Sequence, residues 1–517
     1  MLSRLREYNV GPSQPPLARK RTTRRTAFVV RHKVEDMIGG ELGLGWPGDT
    51  PASDLPPVPL TVKEALESRE SKEWLEAIYA EIEGLIAQGT WVQVPRPTTA
   101  NVLKFIFSRK VNAVGLVERW KARLVVQGFR QQPGIDWHEK FSPTAQMSSL
   151  RMILALTARL GWDLNMADAV RAFTNADLEE DLYVELPEGV VAEFDGAVGK
   201  LQISLYGIVQ ASRNWNALLV TSLLELGLEQ YEADLCVFRW ILDGELVLIM
   251  LIHVDDMLMA SKGFKHALSI VQGLNKKFPV EYLREKGQFM GCHINRDCRL
   301  GTVSIDQQVY VKNLAAKCGI RTGCDLPAVA TKEFVEEGPV RDGYRAMVGS
   351  LMWASIMTRP DISSAVRSLA MKCVNPTVKD WKGAERFIGY LLRTSSRGLT
   401  YGDFSFYGNT PRDHVIGYAD ADYANCVISR FSVSGGVVML GGACVSWWSK
   451  MQKTVALSTT EAEYVSLCDL AKEVMFLQHV QYFLEPTLHE YCVDCLKTKV
   501  GQSGWLRRQL QGVGQNV

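Results

Sequence analysis

The segment Leu248-Ile-Met-Leu-Ile-His-Val-Asp255-Asp256-Met-Leu-Met-Ala260 places two adjacent aspartates between two apolar runs. Runs of this length and composition predict two buried β-strands, with the acid pair at the tight connection between them. Burying an unpaired carboxylate costs several kcal/mol, so a buried pair of carboxylates predicts a bound cation. The alternative is an ordinary surface turn, because aspartate favours turns without any ligand.

A second apolar segment offers a further carboxylate. Asp168 ends the apolar-rich stretch that begins at Trp162, and the aromatic Phe173 follows five residues later. Three carboxylates can hold two divalent ions about 3.5–4 Å apart, the arrangement that stabilises the attacking and leaving oxygens in phosphoryl transfer. Asp168, Asp255 and Asp256 are therefore the candidate metal ligands.

These aspartates belong to a series of distinctive segments between about residue 60 and about residue 480. In chain order there are ten: Arg119-Trp-Lys-Ala-Arg-Leu-Val-Val-Gln-Gly-Phe129, Gly134-Ile-Asp-Trp-His-Glu-Lys-Phe-Ser-Pro143, Asp168-Ala-Val-Arg-Ala-Phe173, Leu205-Tyr-Gly-Ile-Val-Gln-Ala-Ser-Arg-Asn-Trp215, His253-Val-Asp-Asp256, Phe289-Met-Gly291, Val348-Gly-Ser-Leu-Met352, Thr358-Arg-Pro-Asp-Ile362, Gly417-Tyr-Ala-Asp-Ala-Asp-Tyr423 and Ala456-Leu-Ser-Thr-Thr-Glu-Ala-Glu-Tyr464. In this order they resemble the reverse transcriptase and ribonuclease H region of copia-type retrotransposon Pol polyproteins.

The resemblance implies an α/β (α+β) fold. We expect a right-hand polymerase with palm, fingers and thumb, followed by a ribonuclease H-like mixed-sheet domain that is C-terminally incomplete. The expected domains are a flexible, basic and proline-rich arm at 1–58, fingers and palm at 59–325, thumb and connection helices at 326–405, and the ribonuclease H-like domain at 406–517, truncated or divergent after about 485.

The implied activity is RNA-directed DNA polymerisation, in which a deoxynucleotide is joined to a primer 3′-hydroxyl on an RNA or DNA template. Asp168, Asp255 and Asp256 would hold two Mg²⁺ ions, for which Mn²⁺ can substitute. Lys121 and Arg123 alternate by two, so they lie on one face of a predicted strand, where they would bind the triphosphate. The alternative for this pair is a solvated strand edge.

Two further residues match nucleotide-contacting positions of the family. Phe173 would lie against the sugar and exclude a 2′-hydroxyl, although a core phenylalanine explains the residue equally simply. Gln210 would contact the incoming nucleotide. The chain departs from the family pattern at His253, where tyrosine is usual, and at Ser212 and Met290, where proline and leucine are common. His253 would lie near the primer terminus and alter its positioning or the pH dependence, whereas the changes at Ser212 and Met290 remove no catalytic group.

The resemblance implies a second two-metal site, for ribonuclease H. Asp420 would lie on the opening strand and Glu463 in the early turns of a helix that Ser458 and Glu461 begin as a capping box. Without the resemblance, Glu463 would be interpreted as a solvated helical residue. Asp494 is the remaining candidate ligand, and the family's fourth carboxylate has no counterpart, so we expect weak or absent cleavage of RNA in hybrids.

Composition limits the remaining possibilities. The net charge is +1, so a nucleic-acid groove must be locally basic. All eleven cysteines lie at or after Cys236 without regular spacing, which predicts reduced thiols, with Cys492 and Cys495 a weak zinc candidate. The basic cluster Arg19–Arg25 would be a nucleic-acid or nuclear-import signal, or a solvated linker. No apolar run approaches the roughly 18 residues that span a bilayer, so no membrane partner is expected.

The expected partners are an RNA or DNA template–primer and deoxynucleoside triphosphates, with capsid and integrase of the same element supplied in trans. The expected location is the cytoplasm, in virus-like particles, or the nucleus. Two alternatives remain: a decayed or co-opted element product that binds nucleic acid without catalysis, and another palm-type phosphoryl-transfer enzyme. Primer extension separates the first alternative from a working polymerase, and dependence on an RNA template separates the second.

Overall fold

The computed structural model describes residues 55–97, 101, 103–111, 116–187, 190–283, 287–326, 343–402, 414–426 and 429–485. The predicted arm lies almost wholly outside these residues, as do Asp494 and the predicted divergent C-terminus. Within the described ranges, no helix combines the length and the apolar character needed to cross a membrane. Two compact units divide the chain: Met1–Ser142 with Arg171–Leu218, and Pro143–Val170 with Leu219–Val517. The expected domain boundaries stay predictions.

The described residues contain ten α-helices and eighteen strands, which are numbered here in chain order. The helices are α1 (Val62–Glu67), α2 (Ser71–Ala87), α3 (Met147–Leu160), α4 (Ala211–Glu225), α5 (Phe264–Leu274), α6 (Gln308–Lys317), α7 (Tyr344–Met357), α8 (Ser363–Ala370), α9 (Val378–Arg393) and α10 (Thr459–Leu484). The strands are β1 (Trp91–Pro95), β2 (Leu103–Val111), β3 (Val117–Val126), β4 (Asp163–Ala169), β5 (Tyr183–Val184), β6 (Ala197–Leu201), β7 (Leu228–Gln230), β8 (Val237–Leu242), β9 (Glu245–His253), β10 (Asp256–Ser261), β11 (Val280–Tyr282), β12 (Gln288–Phe289), β13 (Cys292–Asp297), β14 (Thr302–Asp306), β15 (Leu399–Tyr401), β16 (Val415–Asp422), β17 (Val433–Leu440) and β18 (Ala443–Met451).

The first unit is built around helix α2 and the β2–β3 ribbon. Apolar residues recur along α2 at three- and four-residue spacing, the pattern of an amphipathic helix. The apolar face packs against the buried side of β3, and the core includes Trp74, Ile78, Ile82, Leu85, Ala122 and Leu124. A second sheet of this unit has the strand order β1-β6-β5.

The second unit contains a six-stranded antiparallel sheet with the order β11-β4-β10-β9-β8-β7. Strands β9 and β10 are apolar and buried along nearly their whole length, because α3 and α5 pack against this sheet. The predicted hairpin around Asp255 is confirmed as the β9–β10 pair.

The rest of the second unit has two smaller sheets, with orders β12-β13-β14-β15 and β16-β17-β18. Helices α6 to α9 share one core, which includes Val348, Leu351, Ile388 and Leu391. The predicted opening strand at Val415 is confirmed as β16, and α10 packs against it. Ser458 begins α10 by accepting a hydrogen bond from the Glu461 amide, which is one half of the predicted capping box; the Glu461 carboxylate instead accepts from the Leu457 amide.

Candidate active sites

Three candidate aspartates meet at one end of the six-stranded sheet. The register pairs Asp256 of β10 with Asp168 of β4 on one side and with His253 of β9 on the other. Strand β11 adds Glu281 opposite Asp168. Directly opposite residues of antiparallel strands project from the same face, so these four side chains form a row across the sheet. Glu281 was not predicted, because only the pairing of β11 with β4 brings it there.

The connection between β9 and β10 consists of Val254 and Asp255. Val254 has φ +58°, a left-handed conformation that is costly for a β-branched residue and is typical of functional sites. The Ala169 amide donates to the Asp255 carbonyl at 3.0 Å, which fixes the turn against the end of β4. Both aspartates were predicted at the connection, but only Asp255 lies there, and Asp256 is the first residue of β10.

The three aspartates supply the donor set that magnesium prefers, which is carboxylate oxygen. All three are half-buried, whereas Met257 and Ala167 beside them are buried. Nowhere in the described ranges do three His, Cys, Asp or Glu side chains already converge on one ion position. Without a cation, three like charges repel one another, so the carboxylates of Asp168, Asp255 and Asp256 would have to turn together to share a metal. The backbone register permits this convergence.

His253 is half-buried at the end of β9, and its ring lies 6.5 Å from the Phe289 ring. Its Nδ1 atom is buried and has no hydrogen-bond partner. Burial lowers the pKa of the imidazole, and the Asp255 carboxylate opposes that shift. Burial therefore favours the neutral form of the ring. Phe289 is held by a tight β12–β13 turn, in which Met290 and Gly291 have φ +51° and +73°.

In the first unit, Lys121 and Arg123 share one face of β3 and the buried Ala122 and Leu124 occupy the other, as the alternation predicts. The Arg123 guanidinium lies over the Tyr206 ring at 5.0 Å. Tyr206 in turn meets Phe173 edge to face at 5.2 Å. Tyr206, for which no role was predicted, therefore contacts both the predicted phosphate ligand Arg123 and the predicted sugar-facing residue Phe173.

The turn at Tyr206-Gly207 depends on glycine. Gly207 has φ +90°, and a Cβ there would lie 2.1 Å from the Val126 carbonyl oxygen. The Val126 amide donates to the Tyr206 carbonyl at 2.8 Å, and this hydrogen bond fixes the Tyr206 backbone against β3. The sequence suggested that the glycine lets the backbone approach a ligand, but the close neighbour is the chain itself.

Arg171 is a third cation of this region that sequence reasoning missed. It has φ +52°, donates to the Ala80 carbonyl at 2.9 Å and lies 3.8 Å from the Glu81 carboxylate. Its guanidinium occupies the space that a Cβ on Gly84 would fill, since that Cβ would be 1.7 Å from an arginine nitrogen. Gly84 therefore makes room for Arg171 on α2.

Glu81 is a buried carboxylate close to these cations. It accepts a hydrogen bond from the Leu124 amide of β3 at 3.1 Å. Burial raises the pKa of its carboxyl, and Arg171, Arg123 and Lys121 act in the opposite direction. A sequence signal existed, because Glu81 interrupts the apolar face of α2 between Ile78 and Ile82.

Gln210 is fully buried, and its amide is already hydrogen-bonded within the protein. Nε2 donates to the Asp136 carbonyl at 2.9 Å and to the Glu180 carboxylate at 3.0 Å. Oε1 accepts a hydrogen bond from Gln131 at 3.1 Å. In this arrangement the amide joins three segments of the first unit.

The predicted ribonuclease H residues Asp420 and Glu463 come together in the second unit. Burial raises the pKa of Glu463, a hydrogen bond from the Ala421 amide lowers it, and the hydrogen-bonded Asp420 carboxyl raises it further. Ser466, one turn along α10, donates to the Asp420 carbonyl at 2.8 Å and so holds the helix against β16. Asp494 lies outside the described residues.

Comparison with known proteins gives one matching family model. Residues 88–331 match the family described as reverse transcriptase (RNA-dependent DNA polymerase). This range includes the three aspartates of the six-stranded sheet and the residues Lys121, Arg123, Phe173 and Gln210.

Curated relatives extend the similarity over most of the chain. The Pol polyprotein from transposon TNT 1-94 of Nicotiana tabacum is 34% identical over 454 residues, which cover 84% of this chain and 34% of the relative. The Pol polyprotein from transposon RE2 of Arabidopsis thaliana is 32% identical over 428 residues, 80% of this chain and 28% of the relative. The chain thus spans about a third of the length of these relatives. A foamy viral protease–reverse transcriptase in complex with double-stranded DNA covers 97% of this chain and 82% of its own, with a TM-score of 0.45 and 11% identity, too weak a likeness to support a conclusion.

Proposed function

We propose, since this chain belongs to the copia-type reverse transcriptase family, that it catalyses RNA-directed DNA synthesis. One observation supports the proposal most directly: β4 and β10 pair in the register that sets Asp168 opposite Asp256, and Asp255 is held at the adjoining turn. If Asp255 and Asp256 only formed a surface turn, there would be no reason for a third carboxylate to lie opposite them on a neighbouring strand.

The proposed cofactor is a pair of Mg²⁺ ions held by Asp168, Asp255 and Asp256, with Mn²⁺ as a substitute. When bound, the ions would neutralise charge on the reacting phosphate and orient the primer hydroxyl. The protein's own contribution is positioning. The strained Val254 and the Ala169–Asp255 hydrogen bond hold the turn, and His253 ends the strand that precedes it.

The proposed substrates are deoxynucleoside triphosphates and a template–primer. We assign the triphosphate to Lys121 and Arg123, because guanidinium and ammonium groups bind phosphate oxygens by charge-assisted hydrogen bonds. Phe173 is the proposed sugar-discriminating residue, and its edge-to-face contact with Tyr206 restricts its ring. Gln210 is the proposed further contact of the incoming nucleotide, and its amide also joins three segments of the first unit.

A linked ribonuclease H activity is a weaker part of the proposal. Asp420 and Glu463 form a hydrogen-bonded carboxyl pair, and we propose that their oxygens bind a metal. Asp494 is the proposed third ligand. We expect hybrid cleavage to be weak or absent, and robust Mg²⁺-dependent cleavage of RNA in a hybrid would overturn this expectation.

The wider setting of the activity follows from the relatives, which are Pol polyproteins. We propose that capsid and integrase act in trans and that the protein works in cytoplasmic virus-like particles, in the nucleus or in both. The alternative function, binding of nucleic acid without catalysis, is favoured by no described contact. The retained register of the three aspartates argues against it.

Primer extension on poly(rA) with oligo(dT), in Mg²⁺ and in Mn²⁺, tests the proposal. We compare the wild type with Asp255→Asn and with Asp243→Asn. Asp243 is a matched control, because it lies in the β8–β9 turn of the same sheet at φ +53°, which asparagine also tolerates. Activity that Asp255→Asn alone abolishes supports the polymerase. A folded wild type that binds the duplex but never extends it supports the binding-only alternative.

A further inference from the structure

Glu281 is a fourth carboxylate at the aspartate site, and the proposed function gives it no role. It lies directly opposite Asp168, because β11 pairs with one side of β4 while β10 pairs with the other. Glu281, Asp168 and Asp256 therefore project from one face of the sheet at the spacing of neighbouring strands, about 4.8 Å. The Glu281 side chain is exposed, and no residue in the described ranges donates a hydrogen bond to it or pairs with its charge.

Contacts on both sides of Glu281 fix its place in β11. At the start of the strand, the Asn275 side chain donates to the Val280 carbonyl and accepts from the Val280 amide, both at 2.9 Å. After Glu281, the Tyr282 hydroxyl donates to the side-chain oxygen of Asn165 in β4 at 2.6 Å. A slip of one residue would turn Glu281 to the other face of the sheet, and these hydrogen bonds oppose such a slip.

An exposed charge on an edge strand has a simpler explanation, since such charges prevent the strand from pairing with another chain. A positive charge would serve that purpose equally well and would be attracted to Asp168. The chain instead places a like charge directly opposite Asp168, an arrangement that destabilises a sheet. A departure from a local pairing rule, at a position that neighbouring contacts hold in register, is typical of functional sites.

We propose that Glu281 is a positioning residue for the divalent ions at the aspartate site. The inference rests on the proposed polymerase function, in which Asp168, Asp255 and Asp256 hold those ions. Mg²⁺ dehydrates reluctantly and keeps several of its waters when one or two carboxylates bind it. Glu281 accepts hydrogen bonds from the waters of an ion bound at Asp168 and adds a negative charge near that ion. It replaces none of the three aspartates as a ligand.

The position of Glu281 in the row determines the size of its effect. Asp168 lies between it and Asp256, which is two strand spacings or about 9.6 Å away. A carboxylate about 7 Å from a divalent ion, with the dielectric constant of water between them, strengthens binding of the ion about seven-fold. Residues that act through the ligands of a metal change its affinity by about 10–100-fold. Loss of the Glu281 charge should therefore weaken metal binding about ten-fold.

The test is a Mn²⁺ titration of the full chain, followed by electron paramagnetic resonance without nucleotide or template. Low ionic strength is used, because salt screens exposed charges. The binding component that Asp168→Asn abolishes is assigned to the aspartate site, which separates it from any ion bound at Asp420 and Glu463. The main variant is Glu281→Gln, which keeps the size of the side chain and removes its charge. Glu281→Asp is a second variant, which keeps the charge and shortens the side chain by one methylene.

Glu245→Gln is the matched control for the loss of one negative charge. Glu245 is exposed at the opposite end of β9, about 26 Å from His253 along the strand. Its ion pair with Lys262 is also exposed, so removing the charge should change the stability of the protein little. The control therefore changes the net charge of the same sheet without approaching the aspartates.

We expect Glu281→Gln to weaken the Asp168-dependent binding of Mn²⁺ about ten-fold, Glu281→Asp to retain most of the affinity, and Glu245→Gln to leave it unchanged. The inference is overturned by unchanged affinity in Glu281→Gln, by an equal loss in Glu281→Asp or in the control, or by a wild type without an Asp168-dependent component. Primer extension by the wild type reports separately on the proposed function. The expected affinities without extension would contradict the polymerase and leave the role of Glu281 standing.

Discussion

Arg151 offers the sharpest test of how the second unit is held together. This arginine of α3 is buried, and its guanidinium stacks on the Trp447 ring of β18 at 3.8 Å. It donates to the Met357 carbonyl at 3.1 Å, to the Val445 carbonyl at 3.3 Å and to the Ile356 carbonyl. A single side chain thereby joins α3 to α7 and to β18.

Replacement by methionine keeps most of the volume but removes every donor. The carbonyls of Met357 and Val445 belong to buried residues, and each would lose its donor at a cost of about 1–3 kcal/mol. Losing the desolvated cation–π contact costs about 2 kcal/mol more. Removing a guanidinium that was costly to bury offsets part of this loss. We therefore expect Arg151→Met to lower the free energy of unfolding by about 3 kcal/mol, or about 6 °C in melting temperature for so large a unit.

Thermal and urea unfolding, followed by tryptophan fluorescence, measure this change. Hydrogen exchange should show faster opening of α7 and β18 in the variant. Arg345→Met is the control, because Arg345 is exposed on α7 and its loss should change stability by less than about 0.5 kcal/mol. If Arg151→Met melts within about 1 °C of the wild type, the guanidinium is not the link that its contacts indicate.

Three further predictions concern single residues. Burial raises the pKa of Glu81, so the contribution of this carboxyl to stability is complete below its ordinary pKa and is lost as pH rises through the folded value. The Glu81→Gln variant should therefore gain stability relative to the wild type as pH rises from about 4. Urea unfolding at several pH values measures this difference, and a difference that does not change with pH contradicts the prediction. Phe173→Val should raise UTP incorporation relative to dTTP at least about ten-fold in primer extension, whereas an unchanged ratio would indicate a core residue. His253→Phe should raise the unfolding free energy by about 1 kcal/mol, because a buried Nδ1 without a partner is removed; a lower melting temperature would show that the nitrogen has a partner in solution.

Local sequence patterns were sufficient to predict the strands that carry the candidate aspartates. The apolar runs around Asp255 predicted two buried strands, and the β9–β10 pair confirms them. Local patterns suffice here because burial of one face and the alternation of side chains are imposed within a few residues. The ten ordered motifs likewise indicated the family whose model matches residues 88–331.

Tertiary structure alone decided which distant residues meet. Glu281 joins the aspartate row only because β11 pairs with β4, and Arg171 meets Glu81 only because Gly84 leaves space on α2. The buried Gln210 amide is shared among three segments of its own unit, and no local pattern in the sequence indicated those partners. Partners so far apart in the chain leave no periodic signal, because their contact depends on strand order and packing, which are properties of the whole fold.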